Sequence, residues 1–187
     1  MRLYIFILIV RALLPAALLP GAEPALQPVT VCDVLQNLSA YDGKVVAIVG
    51  RFSFRQNGRW LGEQNCGRKL VIGEQEWPSA LWVAYDPASA PKPPAVLAVD
   101  GVLLAQKLRA VKQATSLTKF RFGSTDYDTW AVVYGRVETR KDLVAVTADG
   151  TRKNGYGYGE SSPARLVCHS EAVVIFLTDD ARTPASP

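Results

Sequence analysis

Imidazole and thiol are scarce in this 187-residue chain: His169 is the only histidine, and Cys32, Cys66 and Cys168 are the only cysteines. Any Ser-His-Asp or Cys-His site must therefore use His169, and no Gly-x-Ser-x-Gly elbow is present to hold a serine nucleophile. No Cys-x-x-Cys occurs, and the adjacent Cys168 and His169 would face opposite sides of a strand, so a zinc site of three cysteines and His169 is not expected. The phosphate-binding spacing Gly-x-Gly-x-x-Gly is also missing. Gly155-Tyr-Gly-Tyr-Gly159 differs from it, and Ser161-Ser-Pro163 offers no following helix to hold a phosphate. The close aspartate pairs are Asp126/Asp128, in a Gly-Ser-Thr turn, and Asp179/Asp180, near the C-terminus, where solvation accounts for both. These absences predict no cofactor, no metal and no catalytic residue.

No basic stripe stands out either. The positions Arg55, Arg59, Arg68, Lys69, Lys107, Arg109, Lys112, Lys119 and Arg121 are interspersed with apolar and acidic residues. Part of the net charge of +4 belongs to the first residues, and removing Arg2 and Arg11 leaves +2. A nucleic-acid binder concentrates positive charge on one face, so nucleic acid is not an expected partner.

A long uninterrupted apolar run is lacking too. Arg2 precedes Leu3–Val10, Arg11 splits the run, and Ala12–Leu19 leads to Pro20, Gly21 and Ala22. A basic start, an apolar stretch and small residues predict a signal peptide over 1–22, removed on export to the periplasm or the cell exterior. A span of about 20 apolar residues carries no central charge, so no stable membrane span is expected after cleavage.

What is present is mostly strand. Thr30 with Asp33 three residues on predicts a capped helix, with Val31, Val34, Leu35 and Leu38 forming one stripe until Tyr41-Asp42-Gly43 stops it. The period then changes. Val46, Ile48, Phe52 and Phe54 share a strand face with Gly50 among them, and Asn57-Gly58 predicts a hairpin whose return strand begins at Arg59. Further strands are expected at 80–85, 129–138, 143–147, 164–168 and 172–177, with a Pro-rich loop at 86–95 and a helix at 102–113 carrying Leu104, Leu108 and Val111 on one face. The segment Val46-Ala-Ile-Val-Gly-Arg-Phe52 aligns without a gap on Ala131-Val-Val-Tyr-Gly-Arg-Val137. A glycine inside each strand marks the bend that a small closed barrel needs.

These elements predict a mostly β (α+β) fold: a small OB-like Greek-key barrel with an N-terminal helix and one inserted helix, in a single domain over 27–178, with a flexible tail at 179–187. In the same residues lies a resemblance. Val31-Cys-Asp-Val-Leu, Tyr41-Asp-Gly-Lys-Val-Val, Val49-Gly-Arg-Phe, Trp60-Leu and Cys66, then Val133-Tyr-Gly-Arg-Val-Glu138, Gly155-Tyr-Gly-Tyr-Gly and Pro163-Ala-Arg-Leu-Val, are similar to an uncharacterised family of exported bacterial proteins with an OB-like core. The family pattern often reads Gly-Phe-Gly-His where this chain has Gly155-Tyr-Gly-Tyr158, so no role of that histidine is carried over. The resemblance implies a fold and no reaction.

Three cysteines allow three single bridges, and their spacing alone does not choose among them. The resemblance implies Cys32–Cys66, which would tie the first helix to the segment after the hairpin and leave Cys168 as a small buried hydrophobe. For function, the aromatics carry the most information. Trp60, Trp77, Trp82, Trp130, Tyr85 and Tyr134 lie on or near expected strands, and barrels of this type bind through aromatic strand faces. The expected ligand-binding set is Trp60, Trp77, Trp82, Arg51 and Arg136. The expected function is an exported, non-catalytic binding module for a small ligand or an envelope protein. The alternatives are a hydrolase around His169 and a nucleic-acid-binding barrel. The outer face bearing Trp130 and Tyr134 must be covered by the inserted helix, by a ligand or by a partner, and the helix is the expected cover.

Overall fold

The computed structural model describes residues 25–55, 58–64, 66–72, 75–114, 128–140 and 154–177. The expected signal peptide at 1–22, the strand at 143–147, Asp126, Asp179, Asp180 and the tail at 179–187 lie outside the described residues.

Among the described residues, nine strands and three α-helices run in the order β1 (Pro28–Thr30), α1 (Val31–Gln36), α2 (Leu38–Tyr41), β2 (Val45–Arg55), β3 (Gly58–Gly62), β4 (Leu70–Ile72), β5 (Gln75–Trp77), β6 (Ala80–Tyr85), α3 (Gly101–Ala114), β7 (Asp128–Thr139), β8 (Ala164–Cys168) and β9 (Val174–Phe176). The main sheet has the order β1-β2-β3-β6-β8-β7-β9, and β7 also pairs with β2. That last pairing closes β2, β3, β6, β8 and β7 into a five-stranded barrel. Only β6 and β8 run parallel within the barrel, because α3 and the chain around it carry the strand order across. The expected OB-like barrel is the observed fold, and no helix among the described residues is long and apolar enough to cross a membrane.

Local chemistry explains the entry. The Thr30 hydroxyl accepts from the Asp33 N–H at 3.1 Å, and the Asp33 carboxylate accepts from the Thr30 N–H at 2.9 Å, a reciprocal cap at the start of α1. The apolar stripe is interrupted at Asn37, whose φ of −137° and ψ of 45° leave the helical region, so one expected helix is two short ones. A disulfide joins Cys32 in α1 to Cys66 after β3.

Ile48, Leu61, Leu81, Val83, Val133, Val137 and Leu166 fill the barrel. Each such side chain contributes about 1.5–3 kcal/mol by leaving water. On the outer side of β2 and β7, Ala47, Val49 and Val132 are fully buried against Leu104 and Leu108 of α3, with Leu26 and Val99 beside them. The inserted helix is thus the cover for the middle of that outer face. Burial on both faces explains why β2 and β7 read as near-continuous apolar runs. Asp100 starts α3 by accepting from the N–H groups of Val102 and Leu103, both at 3.0 Å.

The two similar segments are partners. Val46 faces Gly135 and Gly50 faces Ala131 across the antiparallel β2–β7 ladder. A β-carbon at Gly135 would lie 2.6 Å from the Val167 carbonyl oxygen, and one at Gly50 would lie 3.0 Å from Leu61 and Val31 side-chain carbons. Close approach of the neighbouring strands is what requires glycine at both positions. Three short strands, β1, β4 and β5, were not expected. The C-terminal strand expected at 172–177 is a 3₁₀ turn over Glu171–Val173 followed by β9.

Candidate ligand-binding face

Strand alternation sets the site. Leu61, Leu81 and Val83 point into the barrel, which puts Trp60 of β3 and Trp82 of β6 on the outside, directly opposite each other in the ladder. Their rings meet edge to face, with centroids 4.8 Å apart and planes at 80°. Trp82 is held from both sides by backbone: a β-carbon at Gly58 would fall 1.8 Å from its ring, and one at Gly157 would fall 2.3 Å from it. The main-chain N–H of Trp82 donates to the Ser162 hydroxyl at 3.1 Å. Trp82 is therefore a fixed support against which Trp60 stands half-buried.

Beside Trp60 the β4–β5 hairpin forms a second wall. Between the hairpin and the barrel is a groove of about 380 Å³ lined by Arg51, Ser53, Trp60, Glu63, Gln64, Lys69, Glu76, Trp77 and Ser79. Trp77 is only 4% exposed and packs closely over Gly155, so it builds the wall more than it displays a ring. Arg51 lies opposite Gly62 on one side and Trp130 on the other, and Ser53 lies opposite Trp60.

Charge in the groove is paired. Lys69 Nζ lies 2.7 Å from Glu76 Oε2. Glu63 is 8% exposed and accepts from the Cys32 N–H at 2.8 Å. Burial pushes its carboxyl above the ordinary value, against the opposing pull of the Cys32 N–H and the Thr30 hydroxyl. Next to it, burial of Asp33 is outweighed by hydrogen bonds from Lys107, at 2.6 Å, and Thr30, which hold its carboxyl below the ordinary value. Gln64 Oε1 and Trp77 Nε1, both buried, have no hydrogen-bond partner among the described residues.

Of the five expected site residues, the structure brings Arg51, Trp60 and Trp77 to one groove and sets Trp82 behind Trp60. Arg136 is elsewhere. It shares Glu138 with Arg165, at 2.8 and 2.7 Å, and Arg165 in turn lies over the Tyr156 ring. Glu138 is partly buried, yet the two guanidinium groups hold its carboxyl below the ordinary range. Glu63, Gln64, Lys69 and Glu76 escaped sequence reasoning, because isolated polar residues in a connection carry no periodic signal. The alternation of Leu70 and Ile72 before Gly73 was the one available clue to the hairpin that brings them in.

His169 follows β8, and it is not among the residues lining the groove. Cys168 is buried, and burial pushes its thiol up to about 12, so it is not a nucleophile at neutral pH. Cys32, Glu63 and Cys66 cluster together, but both sulfurs belong to the disulfide and cannot act as thiolate ligands. Comparison with protein-family models, with curated proteins and with solved structures finds no match to this chain. Its own side chains are the ground for a functional assignment.

Proposed function

We propose that this protein is an exported, non-catalytic binding module that takes its ligand in the groove between β3 and the β4–β5 hairpin. The observation that carries the reading is Trp60, half-buried on the wall of a groove of about 380 Å³ and braced by Trp82. That volume falls within the range of small-molecule sites. The second and third barrel strands, here β3 and β6, are also the surface through which OB-type barrels bind. Export is supported by the Cys32–Cys66 disulfide, which persists in an oxidising compartment.

The test is capture of ligand from the cell-envelope fraction by the tagged protein and by two variants, with circular dichroism to verify folding. Trp60→Ala should lose the captured ligand, while His169→Ala should keep it. Loss in the histidine variant alone would replace the binding module with an enzyme centred on His169.

A further inference from the structure

We infer that the groove takes a neutral oligosaccharide; this deepens the proposed function and rests on the groove being the binding site. Three observations narrow the ligand. The first is charge. Arg51 and Lys69 on the groove walls are matched by Glu63 and Glu76, and Lys69 is already paired with Glu76 at 2.7 Å. Single-stranded nucleic acid requires a groove with surplus cations along its phosphates, and this groove has no such surplus among the described residues.

The second observation is the aromatic wall. Trp60 offers an apolar ring beside polar neighbours, and the negative face of an aromatic ring attracts the weakly positive C–H groups on the flat side of a pyranose. A sugar has just this combination of a C–H face and a hydroxyl rim. A peptide held by its main chain needs a free strand edge. Both β3 and β6 are hydrogen-bonded to a neighbour on each side, and among the described residues beside the groove only the three-residue strands β4 and β5 keep an unpaired edge.

The third is hydrogen bonding. Among the described residues Gln64 Oε1 is an acceptor and Trp77 Nε1 a donor without a hydrogen-bond partner, and both residues line the groove. A hydroxyl both donates and accepts, so neighbouring sugar hydroxyls satisfy the two kinds of group together. Ser53 and Ser79 add hydroxyls to the same walls. Both atoms are closed to solvent, so a sugar hydroxyl reaches them only if the groove wall over them gives way.

Calorimetric titration of the intact protein with cellotetraose, chitotetraose and maltotetraose tests this, with octameric oligothymidylate as the anionic comparator. At least one tetrasaccharide should bind saturably, with an affinity little changed by salt. Trp60→Ala should weaken it by about tenfold or more and Gln64→Ala by a few-fold, with both variants folded. Failure of all three sugars to bind the folded protein overturns the inference, and so does sugar binding indifferent to Trp60→Ala. Salt-sensitive binding of the oligothymidylate that depends on Trp60 also overturns it, but leaves the groove standing as the site. The capture assay with Trp60→Ala judges the groove independently of sugar.

Discussion

Two tryptophans that face each other across one ladder have different work. Trp82 fills the space between Gly58 and Gly157, whereas Trp60 stands half-buried on the groove wall. Trp82→Ala should therefore cost about 2–3 kcal/mol, less than a fully buried tryptophan because the ring is partly exposed. Trp60→Ala should cost about 1 kcal/mol, most of it the lost edge-to-face contact. Urea denaturation of the two variants checks the order, and an equal loss would contradict it. Glu63 gives a second prediction, in pH. Its carboxyl titrates above the ordinary 4.5 in the folded protein, so the fold favours the neutral form. The stability this contributes is complete below 4.5 and is lost as pH rises through the raised value. Glu63→Gln, which cannot ionise, should melt at a higher temperature than the native protein at neutral pH. The gap should close below pH 4.5; thermal melts across that range provide the measurement. Asp33 and Glu138 have the opposite sign, since their lowered values add stability that is lost as pH falls through them.

Among the elements, the long ones were legible and the short ones were not. The strand expected at 80–85 and that at 164–168 have the observed bounds, and the helix expected at 102–113 is Gly101–Ala114. Each carries enough residues for its period to show. β1, β4 and β5 have three residues apiece, too few to display alternation, and their positions depend on partners distant in the chain. The glycines of β2 and β7 stood out as an echo in the sequence, and their reason became visible only when the two strands proved to be paired. Gly135→Ala should destabilise the protein by more than about 2 kcal/mol, because its β-carbon meets a backbone oxygen that cannot move aside. Gly50→Ala should cost less, about 1 kcal/mol, because its β-carbon would lie 3.0 Å from side-chain carbons of Leu61 and Val31, which can yield a little, and 3.1 Å from the Gly62 carbonyl oxygen, further than the 2.6 Å at Gly135. Equilibrium unfolding of both variants checks this, and native stability in Gly135→Ala would remove the close-approach account of the bent strands.

For the whole molecule, barrel closure positions the groove. β2 pairs antiparallel with β3, and β7 seals the barrel against β2, so the outer faces of β3 and β6 remain for Trp60 and Trp82 while α3 covers the outer face of β2 at Ala47 and Val49, further along the strand from Arg51 and Ser53. The Cys32–Cys66 bridge closes a loop with a sequence separation of 34 residues and is worth on the order of 4 kcal/mol in chain entropy. It anchors the chain just beyond Glu63 and Gln64, so the groove wall is fastened to α1. The aromatic half of the groove was visible in sequence because Trp60, Trp77 and Trp82 each lie on or near an expected strand, where a large ring must take one face or the other. The polar half was not, since Gln64, Lys69 and Glu76 acquire meaning only when the hairpin folds against the barrel. Ligand entry beside Trp60 is read from the indole N–H signals of the four tryptophans. In a nitrogen-15 correlation spectrum of the labelled protein, screened against a library of small neutral fragments, binders should shift the Trp60 and Trp77 signals together and leave backbone signals around Tyr85 still. Binders that move the signals around Tyr85 while Trp60 and Trp77 stay fixed would contradict the groove as the binding site.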